Sequence, residues 1–130
     1  MNLLGFHHVA LQVHDVAKVA AFYVEVLGLP ELARYQFDDG SLRSIWVGAH
    51  SKAQKGDPFI AIEHQRPTTP AGALGYSMVA LRIEAARRRN ITDALVSRGV
   101  AIEKETGWTL YVRDPEGNLV GLSHHPDAAP

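Results

Sequence analysis

The sequence predicts an α+β protein of two tandem βαβββ modules, forming a curled sheet with a cleft and carrying its helices on the outer face. Three observations predict it. HVALQV at residues 8–13 returns as MVALRI at residues 78–83, chemically alike at every position but the first. Each copy is followed by an amphipathic stretch that stops at a glycine, Gly28 or Gly99. Each stop leads into three further runs with strand character. Two units of this size suit pseudo-twofold pairing better than a solenoid, which needs about three repeats or more.

From Phe6 to Val13 the residues alternate, with Val9, Leu11 and Val13 on one face and His8, Ala10 and Gln12 on the other. This is a strand with one apolar and one mixed face. Asp15 is a helix N-cap, because its short carboxylate can accept from the free amides of the first turn. Val16, Val19, Ala20, Tyr23, Val26 and Leu27 then recur at helical spacing up to Gly28, which suits the left-handed position after a helix. Glu31 to Phe37, Ser41 to Gly48 and Phe59 to Glu63 are the next strands, with Asp38-Asp39-Gly40 as a hairpin turn. The polar stretch from His50 to Asp57 reads as a mobile loop.

RPTTPAGALG at residues 66–75 has no periodicity and reads as a linker. The pattern then restarts. Tyr76 to Ile83 alternates like the first strand, and Ala86 to Arg98 forms a helix with Ile91, Ala94 and Leu95 as its buried stripe. Val100 to Lys104, Trp108 to Arg113 and Asn118 to Ser123 complete the module, with Asp114-Pro115-Glu116-Gly117 as the last tight turn. The whole chain reads as a single domain, with module 1 at about 5–65 and module 2 at about 76–125.

Composition narrows the function. In 130 residues, 46% are hydrophobic and 21% charged, and Lys plus Arg at 13 against Asp plus Glu at 14 leaves a net charge of −1. Such a balance provides no footprint for nucleic acid or anionic lipid. The run Arg87-Arg88-Arg89 fits a solvated loop or first helical turn. Cysteine is absent, which removes disulfides and thiol nucleophiles. The N-terminus lacks a basic region ahead of a long apolar one, and no run reaches membrane-spanning length, so a soluble cytoplasmic protein is expected.

HHVALQVHDVAKVAAFYVEVLGL at 7–29 and YVRDPEGNLVGL at 111–122 carry a resemblance. They look like the opening strand and Asp-capped helix, and the Asp-Pro-x-Gly-Asn hairpin, of the vicinal oxygen chelate superfamily. That group includes glyoxalase I, bleomycin-resistance proteins, fosfomycin-resistance enzymes and extradiol dioxygenases. The resemblance covers nearly the whole chain and implies fold more specifically than function, since this fold hosts several chemistries and plain binding proteins. It implies a divalent ion (Zn, Ni, Mn or Fe) in metal-dependent members. The ion is held by a residue at the start of each module's first strand, usually His, and one on each last strand, usually Glu. The ion would stabilise charge developing on two adjacent substrate oxygens.

Carried over residue by residue, that ligand set is uneven. The first-strand positions map to His8 and Met78. The last-strand position of module 2 maps to Gly121, and superposition puts Ala61 at its counterpart, with Glu63 two residues further on the same face. Thioether and glycine are poor substitutes in a site for a hard metal. His8 and Glu63 are the remaining metal candidates. His8 also reads as a general base or as a strand histidine satisfied by a neighbour, and Glu63 as a solvated strand end. His7 reads as structural, and His50 and His64 carry little signal. His124 and His125 read as a frayed tail without fixed partners, although His125 shares parity with Gly121 and could reach back.

Trp46, Phe59, Arg82, Trp108 and Tyr111 are candidate ligand contacts, aromatic walls plus an inward cation that would need Glu63 or a bound anion as partner. Ordinary core and edge packing is their alternative. Three functions follow: a small-ligand binding protein without a full metal site and so with no cofactor; a metal-dependent lyase, isomerase or dioxygenase of glyoxalase type using His8 and Glu63; or a non-catalytic assembly or regulatory module. A small-molecule ligand and a homodimer are the expected partners, with no nucleic acid and no membrane.

Overall fold

The structure is a computed structural model and describes Met1, residues 4–65 and residues 78–127. The chain forms two compact units, Met1–Ala73 and Leu74–Pro130. The expected linker at 66–75 lies outside the described residues, as do Tyr76 and Ser77 at the head of the second repeat strand.

In the first unit, β1 (His8–Val13) leads into α1 (Val16–Ala21), which continues as a π-helical turn over Phe22–Val26. β2 (Glu31–Gln36), β3 (Leu42–Gly48) and β4 (Phe59–His64) follow, and the sheet order is β1-β4-β3-β2. β1 runs parallel to β4, while β4, β3 and β2 are antiparallel neighbours. Val13, Ile45, Val47, Ile60 and Ile62 are buried with Val16, Val19, Ala20, Phe22 and Tyr23 of the helix, which packs on β3 and β4. Asp15 caps that helix as its chemistry demands, Oδ1 accepting from the Lys18 amide at 3.0 Å. The wider π turn closes through the Leu27 amide to the Phe22 carbonyl at 3.1 Å. Periodicity identifies the buried face of such a helix but not its local pitch.

The second unit repeats the order: β5 (Val79–Arg82), a 3-10 turn at Ala85–Arg87, α2 (Arg88–Ser97), β6 (Lys104–Glu105), β7 (Thr109–Arg113) and β8 (Leu119–Ser123). Its sheet order, β5-β8-β7-β6, mirrors the first. Gly28 and Gly99 occupy matching left-handed positions, φ 73° and 75°, after their helices. The expected strand from Val100 shrinks to two residues, and Ala94 is exposed, so Leu95 alone is fully buried along α2.

Two expectations about loops are corrected. The stretch from His50 to Asp57 is tied down: the Gln54 amide donates to Asp57 Oδ2 at 2.8 Å, the Ala49 amide to the Pro58 carbonyl at 3.0 Å, and His50 Nε2 lies 3.6 Å from Asp57. Ala53 is buried against Gly48, where any Cβ would collide with it, so the loop is anchored at the end of β3. His124 does not belong to a frayed tail. It is 3% exposed, its Nδ1 donating to the Asp127 carbonyl at 2.7 Å and its Nε2 accepting from Arg88 Nη1 at 3.1 Å. The same guanidinium donates to the Thr106 carbonyl at 2.7 Å and pairs with Glu105 at 3.2 Å. Arg88 is thus a clamp from the first turn of α2 to the β6–β7 turn and the chain beyond β8, not a solvated charge.

Candidate functional site

The alternation of β1 places His8, Ala10 and Gln12 on the face away from α1, and the register carries that face across the unit. His8 pairs with Phe59, Ala10 with Ala61 and Gln12 with Glu63, while Trp46 pairs with Ala61 and Ser44 with Glu63. Tyr35 of β2 pairs with Ser44. Each strand therefore presents one ring to this face, at directly opposite or diagonal positions where large side chains can meet.

The rings form a ladder. Tyr35 and Trp46 have centroids 4.9 Å apart at 57°, Trp46 and Phe59 stack at 4.3 Å and 20°, and Phe59 and His8 stack at 4.9 Å and 5°. Such contacts contribute roughly 0.5–1.5 kcal/mol per aromatic pair beyond area burial. Beside the ladder, at the β2–β3 hairpin end, lies a cavity of about 880 Å³ whose lining includes Tyr35, Trp46, Phe37, Arg43, Glu63 and His64. Its size fits a drug-sized organic molecule. The Ser44 hydroxyl, on the strand between Tyr35 and Glu63, is buried without a hydrogen-bond partner.

Of the residues singled out by sequence, the structure brings His8, Phe59 and Trp46 together and separates His8 from Glu63. Glu63 is opposite Gln12, four residues along from His8. At about 3.3 Å per residue their backbones are about 13 Å apart, too far for one ion. His8 Nδ1 already shares a hydrogen bond with His7 Nδ1 at 2.9 Å. In the second unit, Arg82 is exposed and paired loosely with Asp127 at 3.8 Å. Trp108 meets His125 edge-on at 5.3 Å, and its Nε1 is buried without a partner. Tyr111 is half-buried, with the Lys104 ammonium 6.0 Å from its ring centroid.

Sequence reasoning missed Tyr35, Arg43 and Ser44. Parity on β2 and β3 gives a signal for Tyr35 and Ser44. Nothing in the pattern announces Arg43, which reaches the face through an irregularity: register slips between Tyr35 and Gln36, whose partners are Ser44 and Leu42. A bulged strand re-aims its extra residue, and the Arg43 guanidinium lies 5.5 Å from the Tyr35 ring centroid.

A sequence model described as "Glyoxalase/Bleomycin resistance protein/Dioxygenase superfamily" matches residues 5–122. The chain belongs to this superfamily. Among solved structures, TnmS3, an antibiotic binding protein from Streptomyces sp. CB03234, is 31% identical over 95% of this chain and 98% of that one, with a TM-score of 0.70. The fosfomycin resistance protein FosX from Listeria monocytogenes, solved with Mn(II) and 1S,2S-dihydroxypropylphosphonic acid, is 20% identical over 94% and 93%, TM-score 0.72. Lactoylglutathione lyase from Agrobacterium tumefaciens is 17% identical over 96% of each chain, TM-score 0.69. The latter two likenesses establish the fold alone. No curated protein sequence matches with significance.

The superfamily's metal can be tested against these residues. Both parallel strand pairs share one register, Val9 with Ile60 and Val79 with Val120, so Ala61 and Gly121 are equivalent, as are His8 and Met78. Two of those four positions have no donor atom and a third has only a thioether. The set does not fit a divalent ion. Among the described residues, no three His, Asp or Glu side chains cluster closely enough to hold one. No helix among them is long and apolar enough to cross a membrane.

Proposed function

We propose that this chain is a binding protein that holds a small organic molecule on the mixed face of its first unit and performs no metal chemistry there. The observation that carries the reading is the ladder Tyr35–Trp46–Phe59–His8 beside a cavity of about 880 Å³, on a face where His8 is the one metal donor at the two ligand positions and Ala61 holds the other. Aromatic walls with few polar groups suit organic ligands, and the 31% identical TnmS3 is an antibiotic binding protein. Trp46 and Phe59 are the proposed ligand floor; Arg82, Trp108 and Tyr111 are the second unit's proposed contacts. The two units act as one domain in this reading. A homodimer accords with β1 and β5 each ending a sheet order and with exposed Leu4 and Phe6. Light scattering at tens of micromolar, an affinity-guided choice, should give twice the chain mass.

The test uses 2-naphthol as an uncharged arene after dialysis against EDTA. Wild-type protein should bind it with a Kd below about 1 mM, as ligand size allows, and Trp46→Leu should abolish that binding. Binding that requires restored Mn(II) or Zn(II) would favour the metal-dependent enzyme instead. Absence of arene binding would remove the reading.

A further inference from the structure

The cavity beside the ladder contains charges of both signs, and their partners differ. Asp39 Oδ1 accepts from the Ser41 amide at 2.9 Å and from its hydroxyl at 2.6 Å. Glu63 is likewise engaged within the protein. Arg43 is not. Among the described residues its guanidinium has no hydrogen bond and no ion pair, and it lies 5.5 Å from the Tyr35 ring centroid. The slip in the β2–β3 register accounts for its position, since a ladder in regular alternation would turn residue 43 to the opposite face from Ser44. A planar fork of five donors with no acceptor is therefore held at one end of an aromatic floor.

We infer that the cavity selects a planar aromatic acid: an arene lying against Tyr35 and Trp46, with its carboxylate or equivalent paired oxygens taken bidentately by Arg43. The inference rests on the binding reading above and adds the ligand's chemical class. Two features of the site support an acid over a base. The carboxylates already have partners, whereas the cation's hydrogen-bonding capacity is unused. A guanidinium over a ring is also weakly hydrated, so an incoming carboxylate displaces little water. The fixed charges of Asp39 and Glu63 further orient the ligand, because its negative end is repelled from them and settles at Arg43.

Calorimetric titration with three probes separates the parts: 2-naphthoate, its cationic relative 2-naphthylmethylammonium, and the non-aromatic cyclohexanecarboxylate. Wild-type protein should prefer 2-naphthoate to both. Arg43→Gln should weaken 2-naphthoate about tenfold, the scale of a charge-assisted bidentate pair, and should strengthen 2-naphthylmethylammonium, which no longer meets a like charge. Arg43→Lys should restore only part, since an ammonium lacks the fork. Arg43 is exposed, and unchanged Tm would confirm that its variants fold. Equal or tighter binding of the ammonium to wild-type protein, or an Arg43→Gln variant with undiminished 2-naphthoate affinity, overturns the acid selectivity. The binding reading still survives in that case if Trp46→Leu abolishes arene binding. Cyclohexanecarboxylate binding as tightly as 2-naphthoate overturns the aromatic requirement. If no arene binds, both proposals fall together.

Discussion

The two units share an element order, a sheet order and a parallel register, yet they are held together differently. The first buries five helix side chains, Val16, Val19, Ala20, Phe22 and Tyr23, and lays an aromatic ladder across its other face. The second fully buries only Leu95 along α2 and fastens the helix by the Arg88 clamp to Glu105, Thr106 and His124. Its mixed face is polar, with Thr109 Oγ1 donating to Ser123 Oγ at 2.9 Å and Arg113 gripping Glu103 at 2.6 and 2.9 Å. Duplication thus preserved what the backbone needs, alternation and turn chemistry, and released the side chains. The first unit's helix rests on apolar area, and the second's on directed hydrogen bonds.

The largest effects should come from the apolar side of that contrast. Ile62 is 0% exposed at the centre of the first sheet, and Ile62→Ala should cost about 4 kcal/mol, transfer and cavity together. Leu95→Ala should cost nearer about 2 kcal/mol, because a helix with so little other apolar packing can settle into the space and leave a smaller cavity. Urea unfolding of both variants measures this. Equal losses would break the distinction between an apolar and a polar helix seat.

The clamp is next. Arg88→Met keeps the aliphatic stem but removes every donor, leaving His124 Nε2 and the Thr106 carbonyl without the partner they have now. A loss of about 2 kcal/mol is expected, the scale of stranding a buried polar group. Hydrogen exchange should show α2 amides opening first. The corresponding first turn of α1 has no such arginine, and Lys18→Met there should leave stability within about 0.5 kcal/mol.

A third prediction concerns the divergence at the superfamily's ligand positions. Gly121 lies opposite Ala80, and a Cβ there would stand 3.4 Å from Ala80 Cβ and 3.5 Å from Thr109 Cγ2, so a side chain can be accommodated. Met78→His with Gly121→Glu should raise Zn(II) or Mn(II) affinity at least about tenfold over wild type by competition with a chelating dye. An unchanged affinity would mean that the second unit has lost the scaffold as well as the donors.

How much of this was legible in sequence follows the same division. Alternation in HVALQV and MVALRI, the cap at Asp15, the stops at Gly28 and Gly99, and the turns at 38–40 and 114–117 depend on local rules and appear where those rules put them. His8, Phe59 and Trp46 share a face because strand parity is a local property. Arg43 required a register slip between strands, Arg88 and His124 required contacts across thirty-six residues, and the loop from His50 required Ala53 to fit against Gly48. None of these has a period. Polar contacts between distant segments are fixed by tertiary geometry, and the sequence carries only the residues, not their meeting.

The smallest predicted effect separates two carboxylates, one in each unit. Both are exposed and both titrate below the ordinary range. Asp39 is held there by the Ser41 hydroxyl and then the Ser41 amide, both neutral donors, while Glu103 is held chiefly by hydrogen bonding to the Arg113 guanidinium. In each case the unfolded chain binds protons more readily than the folded one. The contribution to stability is therefore present above the ordinary carboxylate value, roughly pH 4, and is lost as pH falls through the lower folded value. Salt should distinguish them. An exposed ion pair is screened at about 1 M NaCl, where the Debye length is roughly 3 Å, whereas bonds from neutral donors are little affected. Carboxyl carbon NMR titration should show Glu103 moving back toward its ordinary value with added salt while Asp39 stays depressed. Glu103→Gln should also flatten the acid limb of Tm against pH slightly. Parallel movement of the two resonances would mean that Arg113 acts on Glu103 no differently from Ser41 on Asp39, and that the second unit's reliance on charge is less than its geometry indicates.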